Sequence, residues 1–181
     1  MRLVFDIQSL QSASRLRGIG RYTHSLISAL IAEYQEHEII LLVNGAFSDD
    51  HPRLVADFEA LYPGTQCAVC SLPAPSSAHD PENILREAVS EFIREAFVSE
   101  LEPDLVHIFS ALEGFEDNVV TSIGKLEARY PVTATFYDLI PLLNPEQYLK
   151  TNAAFKAHYS KQLESLQRAD GLLAISQFSG A

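Results

Sequence analysis

Short apolar runs alternate along this chain with longer stretches in which apolar residues recur every three to four positions. Leu3, Val4, Phe5 and Ile7 form the first run, nearly continuous, as in a strand covered on both faces. Tyr22, Leu26, Ile27, Leu30 and Ile31 then make one helical stripe, with Arg21, His24, Ser28 and Glu33 off it. Ile39 to Val43 reads as a second buried strand closed by Asn44-Gly45, and Leu54, Val55, Phe58 and Leu61 as a helix stopped by Pro63-Gly64. A third strand covers 67–72 and leads into a proline- and serine-rich stretch, 73–81, expected to be a mobile surface connection.

A long helix follows, with Asp80 as N-cap, Pro81 at the first helical position, and Ile84, Leu85, Ala88, Phe92, Ala96 and Leu101 holding one face. Leu105 to Phe109 reads as a fourth strand and 119–130 as a shorter helix. A fifth strand runs from Pro131 through Val132, Ala134 and Phe136. Between Pro145 and Ala169 another helix is expected, with Tyr148, Phe155, Tyr159, Leu163 and Leu166 among its apolar residues. Gly171 to Ile175 makes a sixth strand, and Ser176-Gln177-Phe178-Ser179 reads as the start of one more helix.

Six strands alternating with helices imply βαβ units, right-handed crossovers and an open, doubly wound parallel α/β sheet with helices on both faces. Ligands in such sheets bind outside the carboxyl ends of the strands. That rule selects Gln8 to Gly20, Ser110 to Phe115, Tyr137 to Pro141 and Ser176 to Ser179 as four segments expected to line a single cleft.

Composition narrows the classes. The chain has 181 residues, 47% of them hydrophobic and 20% charged, which is globular and long enough to bury a core. A net charge of −11 argues against a sequence-independent nucleic-acid binder or a polybasic membrane anchor, while leaving room for a local patch from Arg15, Arg17 and Arg21. No apolar run approaches the roughly 18 residues of a spanning helix, and Met1 leads straight into a strand pattern, so a cytoplasmic location is the default expectation. Cys67 and Cys70 lack a second ligand pair for zinc. On a strand they would point to opposite faces, so they read as two small core thiols. The six histidines show no metal-ligand spacing, and no metal site is expected.

The turn Gly18-Ile19-Gly20 opens the first helix, whose unpaired N–H groups would face the sheet edge and suit an anion. A dinucleotide fingerprint fails there because Thr23 stands at the third glycine position and no acidic residue ends the second strand. A P-loop fails because no Gly-Lys-Ser/Thr closes the turn. The plainer alternative is that Gly18 and Gly20 only shape a tight turn.

Three segments, Arg17-Gly18-Ile19-Gly20-Arg21-Tyr22, Tyr137-Asp138-Leu139-Ile140-Pro141-Leu142 and Ala169 to Ser179, resemble in order and spacing the amino-terminal half of family 4 glycosyltransferases of GT-B fold. Members similar to this chain transfer sugars, often mannose, from a nucleotide-diphosphate sugar such as GDP-mannose to surface polysaccharides such as O-antigens. The resemblance implies a Rossmann-like acceptor-side domain over 1–181, with a carboxy-terminal donor-binding domain outside this chain. It also implies a donor that is substrate rather than cofactor, a glycan or lipid-linked acceptor, and peripheral membrane association at the inner face only in the full enzyme.

By position, Gly18, Ile19, Gly20, Arg17 and Arg21 would approach the donor diphosphate. Gln8, Arg15, Ser110, Glu113 and Gly114 fall on the acceptor side. The family often has glycine where Arg17 stands and histidine where Tyr137 stands. A phenol with a reference pKa of about 10 can position but not shuttle protons near neutrality, so Tyr137 and Asp138 are expected to position substrate. Solvated arginines, a capping Tyr137, a turn-forming Asp138 and an exposed loop Glu113 are the plainer readings. A non-catalytic sugar- or nucleotide-binding module is the alternative for the whole chain.

Overall fold

The computed structural model describes residues 1–47, 51–177 and 179 of the chain. Six strands form one parallel sheet: β1 (Arg2–Asp6), β2 (Glu38–Asn44), β3 (Gln66–Cys70), β4 (Leu105–Ile108), β5 (Val132–Phe136) and β6 (Gly171–Ala174). Their spatial order is β3-β2-β1-β4-β5-β6. The winding therefore reverses between β1, which pairs Phe5 with Leu41 on one side, and β4, which sets His107 beside Phe5 on the other. This is the doubly wound, Rossmann-like sheet expected from the alternation of patterns, and its switch point falls where β1 and β4 end.

Adjacent strand residues face opposite layers, so each near-continuous apolar run supplies two cores. Phe5, Ile7, Ile27, Leu41, Val43, Phe58 and Phe109 pack on one face beneath α1 (Gly18–Glu33) and α2 (His51–Leu61). Val4, Leu42, Val98, Val106, Ile108, Ile123, Ala134 and Leu166 pack on the other beneath α3 (Ile84–Glu100) and, past the short helices α4 (Ile140–Leu143) and α5 (Pro145–Tyr148), α6 (Ala153–Leu166). Cys67 joins the first layer and Cys70 the second, and burial pushes both thiols up to about 11, which keeps them unreactive near neutrality.

Several local expectations give way to tertiary structure. Gly18 to Gly20 are the first residues of α1 itself, capped by extended Arg17, rather than a turn ahead of it. The stretch 8–17 folds into two 3-10 turns, Gln8–Leu10 and Ala13–Leu16. No helix forms over 119–130. Its amides are taken by side chains instead: Val120 N donates to Gln8 Oε1 at 3.0 Å, Ile123 N to Ser165 Oγ at 2.8 Å and Leu126 N to Glu95 Oε2 at 2.7 Å. The helix expected over 145–169 is broken. Asn152 starts α6 afresh by accepting the Phe155 amide at 2.9 Å, as an N-cap does.

The 73–81 stretch is docked. Ser76 is fully buried, its amide bonds Asn118, and Ala78 N and His79 N donate to Gly114 O and Phe115 O at 3.0 and 2.8 Å. Asp80 does cap, accepting Glu82 N at 2.9 Å, but on a 3-10 turn, Pro81–Asn83, that leads into α3. The helix expected to begin at Ser176 includes Phe178, which lies outside the described residues.

Candidate functional site

The loops after β1, β4 and β5 meet above the carboxyl edge of the sheet, and a buried polar network ties the first two of them to the end of β2. Gln8 is its pin. Its Nε2 donates to both Asp6 oxygens at 3.1 Å and to Val120 O at 2.8 Å, while its Oε1 accepts from Asn44 Nδ2 and Val120 N, each at 3.0 Å. Gln11 exchanges two further bonds with the Asn44 backbone, at 2.9 and 2.7 Å. Gln8 is therefore spent on the fold, with no polar atom left to offer an acceptor.

Above this network the 110–115 loop is clamped from two sides. Glu113 N donates to Ser110 O at 3.3 Å, and a His158 ring nitrogen on α6 lies 3.2 Å from Glu113 O. Gly114 sits at φ +97°, and a Cβ there would stand 2.3 Å from Val119 O. Only glycine fits, and its role is to form the turn. Ser110 is buried beneath the Glu113 carboxylate.

Glu113 Oε2, the Tyr137 hydroxyl and the Tyr159 hydroxyl are buried at this rim without a hydrogen-bond partner among the described residues, as is His158 Nδ1, which lies 3.7 Å from Glu87 Oε1. Burial raises the Glu113 pKa, and Asp117 adds to the rise, against the opposing pull of the Ser14 and Ser110 hydroxyls and of Arg17. Burial also pushes Tyr137 up to about 12, assisted by Tyr22 and Glu113 and opposed by the Thr23 hydroxyl, which sits nearby without meeting hydrogen-bond geometry. The Tyr22 and Tyr137 rings meet edge to face at 5.8 Å. Tyr159 is raised by burial and then by Asp138. Asp138 itself accepts the Ile140 amide at 2.9 Å, making the turn into α4. Unsatisfied buried polar groups are costly, so such a cluster at a sheet edge is suited to receiving hydroxyl groups from a ligand.

The glycine turn and its arginines divide between two places. Arg17 lies within electrostatic reach of Glu113, on the rim. Arg15, Gly20 and Arg21 instead line a groove of ≈ 530 Å³ between α1 and α2, with His24 and Arg53. Gly20 is glycine for packing. A Cβ would stand 2.4 Å from the Arg15 Cα, so the 13–16 turn rests directly on α1. Gly18, beside Ile19 at the start of α1, faces open space, with nothing within 4 Å of an added Cβ. Tyr22, Thr23, His158 and Tyr159 escaped the sequence reading. Each occupies a position that reads as an ordinary helix residue, and only the fold brings its polar tip to the rim.

No protein-family model matches the chain. Curated relatives do. Over 178 residues it is 33% identical to a serotype-specific mannosyltransferase WbdA of Escherichia coli, covering 98% of this chain and 21% of that protein. A second Escherichia coli WbdA is 31% identical over 150 residues, 82% of this chain and 18% of the relative. The chain is similar to a segment of bacterial mannosyltransferases. It spans about a fifth of the length of the WbdA relatives it matches. The likeness to WbdA extends over nearly the whole sequence and takes in the segments 17–22, 137–142 and 169–179. Among the described residues no helix is long and apolar enough to cross a membrane, and no cluster of three His, Cys, Asp or Glu is placed to hold a metal ion.

Proposed function

We propose that this chain is the acceptor-side domain of a retaining, metal-independent glycosyltransferase. It would act within a longer protein that moves mannose from a nucleotide-diphosphate sugar to a growing surface polysaccharide or lipid-linked glycan. The similarity to WbdA supports the sugar and the reaction class. The observation that carries the assignment of this rim is that Glu113 Oε2, the Tyr137 hydroxyl and the Tyr159 hydroxyl are buried there with no hydrogen-bond partner among the described residues, Glu113 lying within electrostatic reach of Tyr137 and Asp138 of Tyr159.

In this reading the rim receives the acceptor. Glu113 accepts from a sugar hydroxyl, Tyr137 orients the reacting sugar, and the Tyr22 ring fixes the Tyr137 ring. Tyr137, held far above neutrality, stays protonated and serves as a hydrogen-bond donor rather than a base. Arg17 and the first amides of α1 lie where positive potential would favour a departing diphosphate. A second domain would supply the donor wall, since a cleft with one wall neither excludes water nor orients two substrates.

Calorimetric titration of the chain with mannose disaccharides tests the assignment. Binding that weakens roughly tenfold in Glu113→Gln and in Tyr137→Phe, as expected for loss of a directed hydrogen bond, supports it. Affinity unchanged in both variants contradicts it. Sugar transfer by the purified chain alone would refute the requirement for a second wall.

A further inference from the structure

Two elements far apart in sequence build the rim assigned to the acceptor: the 110–115 loop brings Glu113, and α6 brings Tyr159. Their relative placement decides whether Glu113 Oε2 and the Tyr159 hydroxyl can meet one ligand together. Helix α6 is tied to the body of the fold by Ser165 Oγ, which accepts the Ile123 amide at 2.8 Å. The loop is held on its other side by the docked backbone of Ala78 and His79, at 3.0 and 2.8 Å. Among the described residues one hydrogen bond joins the loop to α6 directly, between His158 Nε2 and Glu113 O at 3.2 Å.

A carbonyl oxygen only accepts, so Nε2 carries a hydrogen and donates it. The ring is buried, and its other nitrogen, Nδ1, stands 3.7 Å from Glu87 Oε1 without a hydrogen-bond partner among the described residues. Lys161, further along α6, takes up Glu87 Oε1 at 2.8 Å and reaches Glu91 Oε1 at 2.7 Å. The Phe115 ring lies 5.8 Å from the imidazole, and a Cβ on Gly114 would lie 3.7 Å from His158 Cε1, so the ring packs directly against the turn. An aliphatic side chain of similar size would fill that space and leave no buried nitrogen unmet. What the imidazole adds is the directed bond to Glu113 O.

We infer that His158 is a positioning residue of the acceptor rim: its Nε2–H ties the Glu113 backbone to α6 and so holds Glu113 Oε2 in a constant place relative to the hydroxyl of the adjacent Tyr159. The inference rests on the rim receiving a sugar, as proposed above. The imidazole, buried against the 113–115 turn, acts through Glu113 and not on the sugar.

Two variants separate the directed bond from the volume. His158→Asn puts its amide at the place of Nδ1, too short to reach Glu113 O, whereas His158→Gln keeps a donor at the place of Nε2. In calorimetric titration with a mannose disaccharide, affinity should fall roughly fivefold in His158→Asn and be rescued to within about twofold by His158→Gln, as for one lost and one restored hydrogen bond. Glu113→Gln, costing roughly tenfold in the parent chain, should cost about twofold in the His158→Asn background, because an oxygen no longer held in place has little left to lose. An affinity unchanged in His158→Asn, a His158→Gln chain no tighter than His158→Asn, or costs that simply multiply overturns the inference and leaves the rim reading standing. Absence of disaccharide binding by the parent chain overturns both. Since a variant of a buried histidine can fail to fold, nitrogen NMR of the isotope-labelled imidazole reads the parent chain directly: His158 should carry hydrogen on Nε2, and a ring with its only hydrogen on Nδ1 overturns the inference.

Discussion

Under α1 the sheet is dry: Ile27 is fully buried, Leu26, Leu30 and Ile31 pack beside it, and Phe5, Leu41 and Phe109 complete an apolar layer. Under α3 the same sheet meets Arg94, Glu91 and Glu95, with Val98 buried at the helix's end, while Leu85, Val89, Phe92 and Ile93 look outward. The two helices are of similar length and amphipathicity, so the periodicity of each predicts a buried apolar stripe with equal force. What separates them is the neighbour each must satisfy. Helix α1 covers strands whose backbone needs are already met within the sheet. Helix α3 covers Asp6 at the switch point and the irregular 119–126 segment, whose free backbone groups need acceptors and donors. Glu95 takes the Ser122 hydroxyl at 2.6 Å and the Leu126 amide, and Arg94 gives to Ser122 O at 3.2 Å. A missing helix and an inverted one are thus two sides of one exchange.

The contrast can be broken most sharply at Arg94. Arg94→Met leaves the buried Asp6 carboxylate without its cation, held only by Gln8, and should cost about 3–5 kcal/mol in urea unfolding, with Asp6→Asn in the same chain recovering part of it. A cost no larger than that of an exposed α3 substitution would show that the polar layer does not hold the helix. On the dry side, Ile27→Ala should cost about 2–4 kcal/mol through cavity formation, with no rescue by any charge change.

The dry layer also excludes charge, and that gives it a pH signature. His107 lies against the Phe109 ring, with its nitrogens 2.8 and 2.9 Å from the Thr133 and Thr135 hydroxyls, and burial pushes its pKa down to about 4. Because the folded value lies below the unfolded one, the unfolded chain takes up the proton first as pH falls. The contribution is complete above about pH 6.5 and is lost progressively toward pH 4, by about 3 kcal/mol. Urea midpoints measured from pH 7 to pH 4 should follow that slope, and His107→Gln should flatten it.

Smaller effects separate the two glycines at the start of α1. Gly20→Ala collides with the Arg15 backbone and should cost about 1–3 kcal/mol, while Gly18→Ala, in open space, should be neutral or stabilising by up to about 1 kcal/mol in thermal melts. Smallest of all, Leu85→Ala should change folding stability by about 0.5 kcal/mol or less, since it removes surface that folding never buried.

The sheet and its winding were legible because each strand is apolar on both faces, a local property. The convergence of residues near 17–23, 110–115 and 137–138 followed from topology, since parallel strands gather their carboxyl-end loops. Whether a polar side chain at that rim is free was not legible. Gln8 and Glu113 look alike in sequence, yet Gln8 has both amide ends occupied and Glu113 keeps a buried oxygen without a hydrogen-bond partner among the described residues. Nor was the close packing at Gly20 and Gly114 legible, where a Cβ would stand 2.4 Å from the Arg15 Cα and 2.3 Å from Val119 O. The 119–130 helix and the inward face of α3 were beyond local pattern altogether, because each depends on hydrogen bonds to residues distant in sequence.

On the reading proposed above, the Glu113, Tyr137 and Tyr159 rim receives a sugar. Titrating the isotope-labelled chain with a mannose disaccharide and following backbone amide shifts tests it most directly. The shifts are expected to concentrate at 22–23, 110–114, 137–138 and 159. Shifts confined to the groove between α1 and α2, or none at saturating disaccharide, would contradict it.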